Sequence, residues 1–247
     1  MKASASPRTL YAVMIAVVAT CAALRAQDVV VQKNGQRSEG QISALVDGRI
    51  KIKVGPVETT IPFDQVVSVT KPAPKAYDDS LNSWQKGDAA QTLTTLKPLV
   101  DSFRGLPTPW AERASALLGD VYLSLGQVPD AETAFTAFQK AYPASTSLAD
   151  LGLARLAVEK KDYVTAKAKL EPIVAEASQT VMAPTGKNAI YGQAFYLMGM
   201  VHEGQEEYPQ ALHDYLSTVT IFSEDQAVVA KAQQRADALK AKNVIVP

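Results

Sequence analysis

ALLGDVYLSLGQVPDAETAFTAFQKAYP, residues 116–143, carries two apolar stripes on either side of a turn. Ala114, Leu117, Leu118, Val121 and Leu125 recur at intervals of three and four, the period of one helix face. Ala131 and Phe135 follow four residues apart on the far side, and Pro143 ends the stretch. Gly119 and Ala131 are small where two antiparallel helices would cross. Tyr122 and Phe135 are large where the space beside the crossing must be filled.

Working outward, the same frame returns. It recurs with Leu153, Ala154, Tyr163, Ala166 and Leu170, then with Phe195, Met198, Gly199, Tyr208, Ala211 and Tyr215. An earlier, degenerate copy is marked by Leu96-Lys97-Pro98-Leu99-Val100, which parallels Leu170-Glu171-Pro172-Ile173-Val174; Tyr77, Leu81 and Trp84 would form its first helix. The spacing of Leu118-Gly119, Tyr122, Ala131, Phe135 and Pro143 resembles the tetratricopeptide repeat. Phe138, Ile173 and Thr218 depart from it where the family has a small residue, and Ser115, Asp150 and Phe195 stand where it has tryptophan. The resemblance implies a mainly α chain, a superhelix of α-α hairpins near 77–106, 112–145, 147–180 and 192–225. Ser223 and Gln226 read as a capping pair that opens a closing helix over 226–243. Pro98 and Pro172 are expected to bend or end their helices, since each removes a helical hydrogen bond. The stretch from Thr180 to Asn188 reads as an exposed loop.

Upstream, residues 27–70 change to period two. Val29 and Val31, then Ile42, Ala44 and Val46, then Ile50, Ile52 and Val54, then Val57, Thr59 and Ile61 alternate as in half-buried strands. Asn34-Gly35, Asp47-Gly48 and Gly55-Pro56 mark the turns, and Val66 to Val69 supplies a fifth strand. The order resembles a small SH3-like or Sm-like barrel, with Gly40 in a strongly bent strand. Arg49, Lys51 and Lys53 alternate with apolar residues as the solvated face of a strand. Residues 71–76 hold Pro72 and Pro74 and read as an extended linker that keeps the flanking units apart.

At the start, Lys2 and Arg8, an apolar run from Leu10 to Leu24 and a small residue at Ala26 form a secretory leader over residues 1–26. The expected location is therefore the periplasm or cell envelope of a bacterium. The single cysteine, Cys21, lies in that leader. Cleavage removes it, and the competing reading is a lipoprotein site that tethers an envelope-assembly factor.

The charge balance, 25 basic against 25 acidic residues, argues against nucleic acid as a partner and against a membrane except through an uncleaved or lipidated leader. There is no Gly-x-Ser-x-Gly, no His-Glu-x-x-His and no cysteine after the leader; Gly186-Lys187 lacks the first glycine and the hydroxyl of a phosphate loop, with Val181 and Asn188 in those places. His202 and His213, even with Glu203, Glu206 and Glu207 nearby, lack fixed ligand spacing, and Trp84 and Trp110 read as packing residues. No cofactor and no enzyme activity are expected, the alternative being an active site between the two units.

The tetratricopeptide resemblance implies a protein partner, a peptide or helix, held in a groove lined by Arg113, Asp120, Ser124, Arg155, Glu159, Gln193, Tyr196, Met200 and Glu203. A second copy of the chain is the alternative occupant, giving a homo-oligomer. It assigns hairpin packing to Leu118, Gly119, Tyr122, Ala131, Phe135, Tyr163, Ala166, Gly199, Tyr208, Ala211 and Tyr215.

Overall fold

A computed structural model describes residues 27–180, 183–184 and 186–246. The leader and Cys21 lie outside the described residues, as do Val181, Met182 and Thr185 of the Thr180 to Asn188 stretch.

Five strands come first: β1 (Asp28–Gln32), β2 (Arg37–Val46), β3 (Arg49–Val54), β4 (Val57–Pro62) and β5 (Val66–Thr70), with a 3-10 turn at Phe63–Gln65. They form one antiparallel sheet in the order β4-β3-β2-β1-β5. The expected barrel is corrected to an open sheet, because β4 and β5 pair only inward and remain its two edges. Gly40 is required where β2 crosses β3, since a Cβ there would meet the backbone carbonyl of Lys53. The register shifts between Ile42 and Ala44, so Ile42 and Leu45 face the core while Val46 faces out. In β1 the phase differs from the alternation of Val29 and Val31. Asp28 and Val30 are the buried pair.

Nine helices follow among the described residues: α1 (Lys75–Gln85), α2 (Ala89–Phe103), α3 (Pro109–Ser124), α4 (Val128–Ala141), α5 (Thr146–Glu159), α6 (Tyr163–Ser178), α7 (Asn188–Gly204), α8 (Tyr208–Thr220) and α9 (Gln226–Ala241). They pair as four hairpins and a closing helix. Each second helix also packs against the first helix of the next hairpin. Pro98 and Pro172 end neither helix, contrary to one expected alternative; α2 continues to Phe103 and α6 to Ser178. The cap of α9 is Asp225, whose carboxylate accepts from the amides of Ala227 and Val228; Gln226 only donates to the carbonyl of Ser223.

The four hairpin turns share one backbone solution. Gly87, Gly126, Lys161 and Glu206 occupy equivalent places between the paired helices, with φ of 78°, 71°, 58° and 65°. The left-handed conformation suits glycine and costs an L side chain roughly 1 kcal/mol. Lys161 and Glu206 are exposed, so little packing offsets the strain. Lys161→Gly and Glu206→Gly are each expected to stabilise the chain by about 0.5–1 kcal/mol, raising Tm by about 2–4 °C per kcal/mol. Thermal melts check this, and an unchanged or lower Tm for both would exclude strain at these turns.

The stretch from Lys71 to Lys75 does not hold the sheet and helices apart, as its prolines suggested. Val30, Ile42, Ile50, Ile52 and Ile61 share one core with Tyr77, Leu96, Val100, Leu106 and Trp110. Lys71 locks the junction. Its ammonium meets the Asp28 carboxylate at 2.8 Å and lies 5.2 Å from the centre of the Phe103 ring, while its carbonyl accepts from Trp110 Nε1 at 2.9 Å. Among the described residues, no helix is long and apolar enough to cross a membrane.

Candidate functional site

The first helices of successive hairpins, α3, α5 and α7, pack in a row, with α9 after them. Small residues allow this. The Phe135 ring of α4 fills the space between Gly119 of α3 and Gly152 of α5. A Cβ on Gly152 would approach that ring at 2.5 Å, and one on Gly119 would overlap it. Gly199 of α7 meets the Tyr215 ring in the same way, and Gly204 meets Tyr163 of the preceding hairpin. Leu118, Ala131, Phe135, Ala166, Ala211 and Tyr215 are buried, and Tyr122, Tyr163 and Tyr208 are half-buried.

A polar ladder runs across the row. Asp120 of α3 pairs with Arg155 Nη1 of α5. Arg155 Nη2 donates to Gln193 Oε1 of α7 at 3.1 Å, and Gln193 Nε2 donates to Asp225 at the start of α9 at 3.0 Å. Four of the chain's hairpin and cap units are thus joined by side chains on one face. Nearer the end of the stack, Glu203 accepts from the Tyr215 hydroxyl at 2.6 Å and from Arg235 Nη1 at 2.8 Å. Burial, then the Glu203 carboxylate, pushes the Tyr215 phenol far above its ordinary range, so it stays a neutral donor.

Beneath the ladder lies a recess. Its apolar wall comes from Ala116, Leu148, Leu151, Gly152 and Phe135, and its polar rim from Asp120, Arg155 and Gln193. The repeat spacing points to the rim and to Phe135 as a packing residue, and leaves out Ala116, Leu148, Leu151 and Gly152. The available signal was spacing: Ala116 precedes Asp120 by four residues, and Leu148 and Leu151 precede Arg155 by seven and four, so all fall on one face.

Of the other groove candidates, Arg113, Ser124 and Glu159 are exposed. Tyr196 and Met200 are half-buried against two core clusters, Tyr196 with its ring 5.9 Å from that of Tyr215. His202 hydrogen-bonds Asp214 at 2.7 Å through Nδ1, while His213 is exposed. Among the described residues, no group of three or more His, Cys, Asp or Glu side chains is placed to hold a metal ion. Trp84 and Trp110 pack in or against the core shared with the sheet.

Residues 65–241 match the family described as a tetratricopeptide repeat-like domain. The chain belongs to that family. The tetratricopeptide repeat-like domain spans more than half of the chain, including β5 and all nine helices, and it supports a role in protein interaction. No curated protein matches the chain. Among solved structures it is similar to a MamA double mutant, "MamA RS-1 ArsTM double mutant", at 18% identity and a TM-score of 0.39, covering 68% of this chain and 94% of that one. It is also similar to MamA (41-end) from Desulfovibrio magneticus RS-1, at 19% identity and a TM-score of 0.39, covering 68% and 95%.

Proposed function

We propose that this chain is a non-catalytic scaffold of the periplasm or cell envelope, which holds a partner peptide or helix on the first-helix face of its tetratricopeptide repeat-like domain. The recess between α3 and α5 supports this reading most directly. An apolar wall beneath a rim of one carboxylate, one guanidinium and one amide suits one apolar anchor side chain flanked by polar groups. Exposed Arg113 and Glu159 extend the mixed charge beyond the rim. Location rests on the leader pattern of residues 1–26.

Crosslinking the native protein in its envelope, followed by identification of what is captured, tests the proposal. Leu148→Glu places a charge at the wall of the recess and is expected to reduce capture by at least tenfold, equivalent to about 1.4 kcal/mol. Arg113→Glu with Glu159→Lys, both on exposed positions, should weaken capture while leaving Tm within about 1–2 °C, because surface substitutions cost little. Arg155→Ala is a poorer probe of binding alone, since it also removes the links to Asp120 and Gln193. Undiminished capture by both the Leu148→Glu and the double variant would place the partner elsewhere.

A further inference from the structure

The hairpin of β3 and β4 carries different chemistry on its two faces, and the edge of β4 runs between them. On one face, Arg49, Lys51 and Lys53 are exposed and alternate with buried Ile50 and Ile52. Among the described residues, none of these three cations belongs to an ion pair. On the other face, Val54 and Val57 lie in phase with Ile50, Ile52 and Ile61, and reach beyond the core to 41% and 61% exposure. Among the described residues, β4 pairs with β3 alone. The two-residue turn Gly55-Pro56 makes Val54 and Val57 a hydrogen-bonded pair, and the pattern alternates along the ladder. The amides and carbonyls of Glu58 and Thr60 therefore point away from β3. Arg49 Nε donates to the Thr60 hydroxyl at 3.4 Å, so its guanidinium already stands over β4. Glu58 turns the other way, its carboxylate accepting from Ser43 of β2 at 3.5 Å, across β3. The opposite edge has no such flanks. Strands β1 and β5 together carry one charged side chain, Asp28, which is buried against Lys71.

We infer that the outer edge of β4 takes an extended segment of another protein as an added strand, with side chains that alternate between apolar and acidic. Outward-pointing backbone groups select an extended peptide. The alternation follows from the period of a strand: residues opposite Val57 and Thr59 fall on the valine face, and those opposite Glu58 and Thr60 fall on the cation face. Strands lie about 4.8 Å apart, so an acidic side chain on the added strand stands two spacings from β3, a gap that arginine and lysine stems span. A bilayer or a nucleic acid would meet one face and leave the other idle, because the valines and the cations point opposite ways. A second copy of β4 would bring a single carboxylate, Glu58, to three cations.

Fluorescence anisotropy of the full chain with two labelled peptides tests the inference. One peptide alternates valine and glutamate; the other has the same composition with the valines and glutamates in separate blocks. The alternating peptide should bind about tenfold more tightly, since it alone turns its carboxylates to the cations and its valines to Val57 while its backbone pairs. Thr60→Pro removes an amide on the side of β4 that has no ladder, so it should keep the wild-type Tm and lose about tenfold in affinity. Thr60→Ala keeps that amide and should bind as the wild type does. Arg49→Gln, Lys51→Gln and Lys53→Gln combined should lower affinity about tenfold, at roughly twofold for each exposed ion pair. Glu58→Gln should raise it about twofold by removing a like charge opposite the peptide, a gain that misfolding cannot mimic. Leu148→Glu alters the helical recess and should leave this binding unchanged, which separates the edge from the groove. No binding of the alternating peptide at about 1 mM overturns the inference. Equal affinity for the two peptides, or wild-type affinity in Thr60→Pro, also overturns it, and loss of binding in Leu148→Glu moves the peptide to the recess. A dimer in solution that Thr60→Pro dissociates overturns it as well and assigns the edge to a second copy.

Discussion

Phe135→Ala is expected to destabilise the chain by about 3–5 kcal/mol, toward the upper end of what a buried aromatic truncation costs. The reason is the glycine on each side. A cavity is filled after mutation only as far as neighbouring side chains can move in, and Gly119 and Gly152 have none to move. The loss should read as a lowered midpoint in urea, and the same geometry makes a second, sharper demand. Gly152→Ala alone should cost about 1–3 kcal/mol, because its Cβ would push the ring, yet in the Phe135→Ala background the same methyl group should restore stability. Additive losses in the double mutant would mean that the ring does not occupy the space between α3 and α5.

The next largest effect is at the junction of sheet and helices. Asp28→Ala should cost about 3–5 kcal/mol, because it leaves the Lys71 ammonium without its carboxylate where the two side chains are only 12% and 9% exposed. It also removes the acceptor of the Ile42 amide, which lies 2.7 Å from Asp28 Oδ2. Lys71→Met in the same chain takes away the stranded charge and keeps a stem to pack on Phe103, so Asp28→Ala with Lys71→Met should be more stable than Asp28→Ala alone. Urea unfolding of the three variants decides the matter; a double variant weaker than Asp28→Ala would contradict a stranded charge as the cause.

Much of this architecture is legible in the chain because tetratricopeptide-type packing is written in residue size. Gly119, Ala131 and Phe135 must be small, small and large wherever two hairpins meet, and the frame around Gly199, Ala211 and Tyr215 repeats it. The sheet was harder. Its strands and turns follow from alternation, but the phase of β1 depends on Asp28, a residue whose burial is explained by Lys71 and the Ile42 amide, both from distant parts of the sequence. The shift between Ile42 and Ala44 likewise has no local signal beyond Gly40. At the candidate site the polar rim was named from repeat alignment. That Arg155 would bind both Asp120 and Gln193 depends on how far one hairpin is rotated against the next, a quantity absent from any single repeat. Of the two outcomes expected at the prolines, ending is overturned: α2 runs on to Phe103 beyond Pro98 and α6 to Ser178 beyond Pro172, each packed against the next hairpin.

The shared core at the junction has a consequence for assembly. A solenoid of identical-looking hairpins presents a sticky end on each side, and nothing in the repeat itself stops copies from joining head to tail into a filament. Here one terminus is plugged by a sheet whose isoleucines enter the first hairpin, and the other by α9, with Val244 and Val246 folded onto the same closing cluster. The ruler therefore has two stops. Neither end of the described stack leaves a bare hairpin face for a second copy to extend.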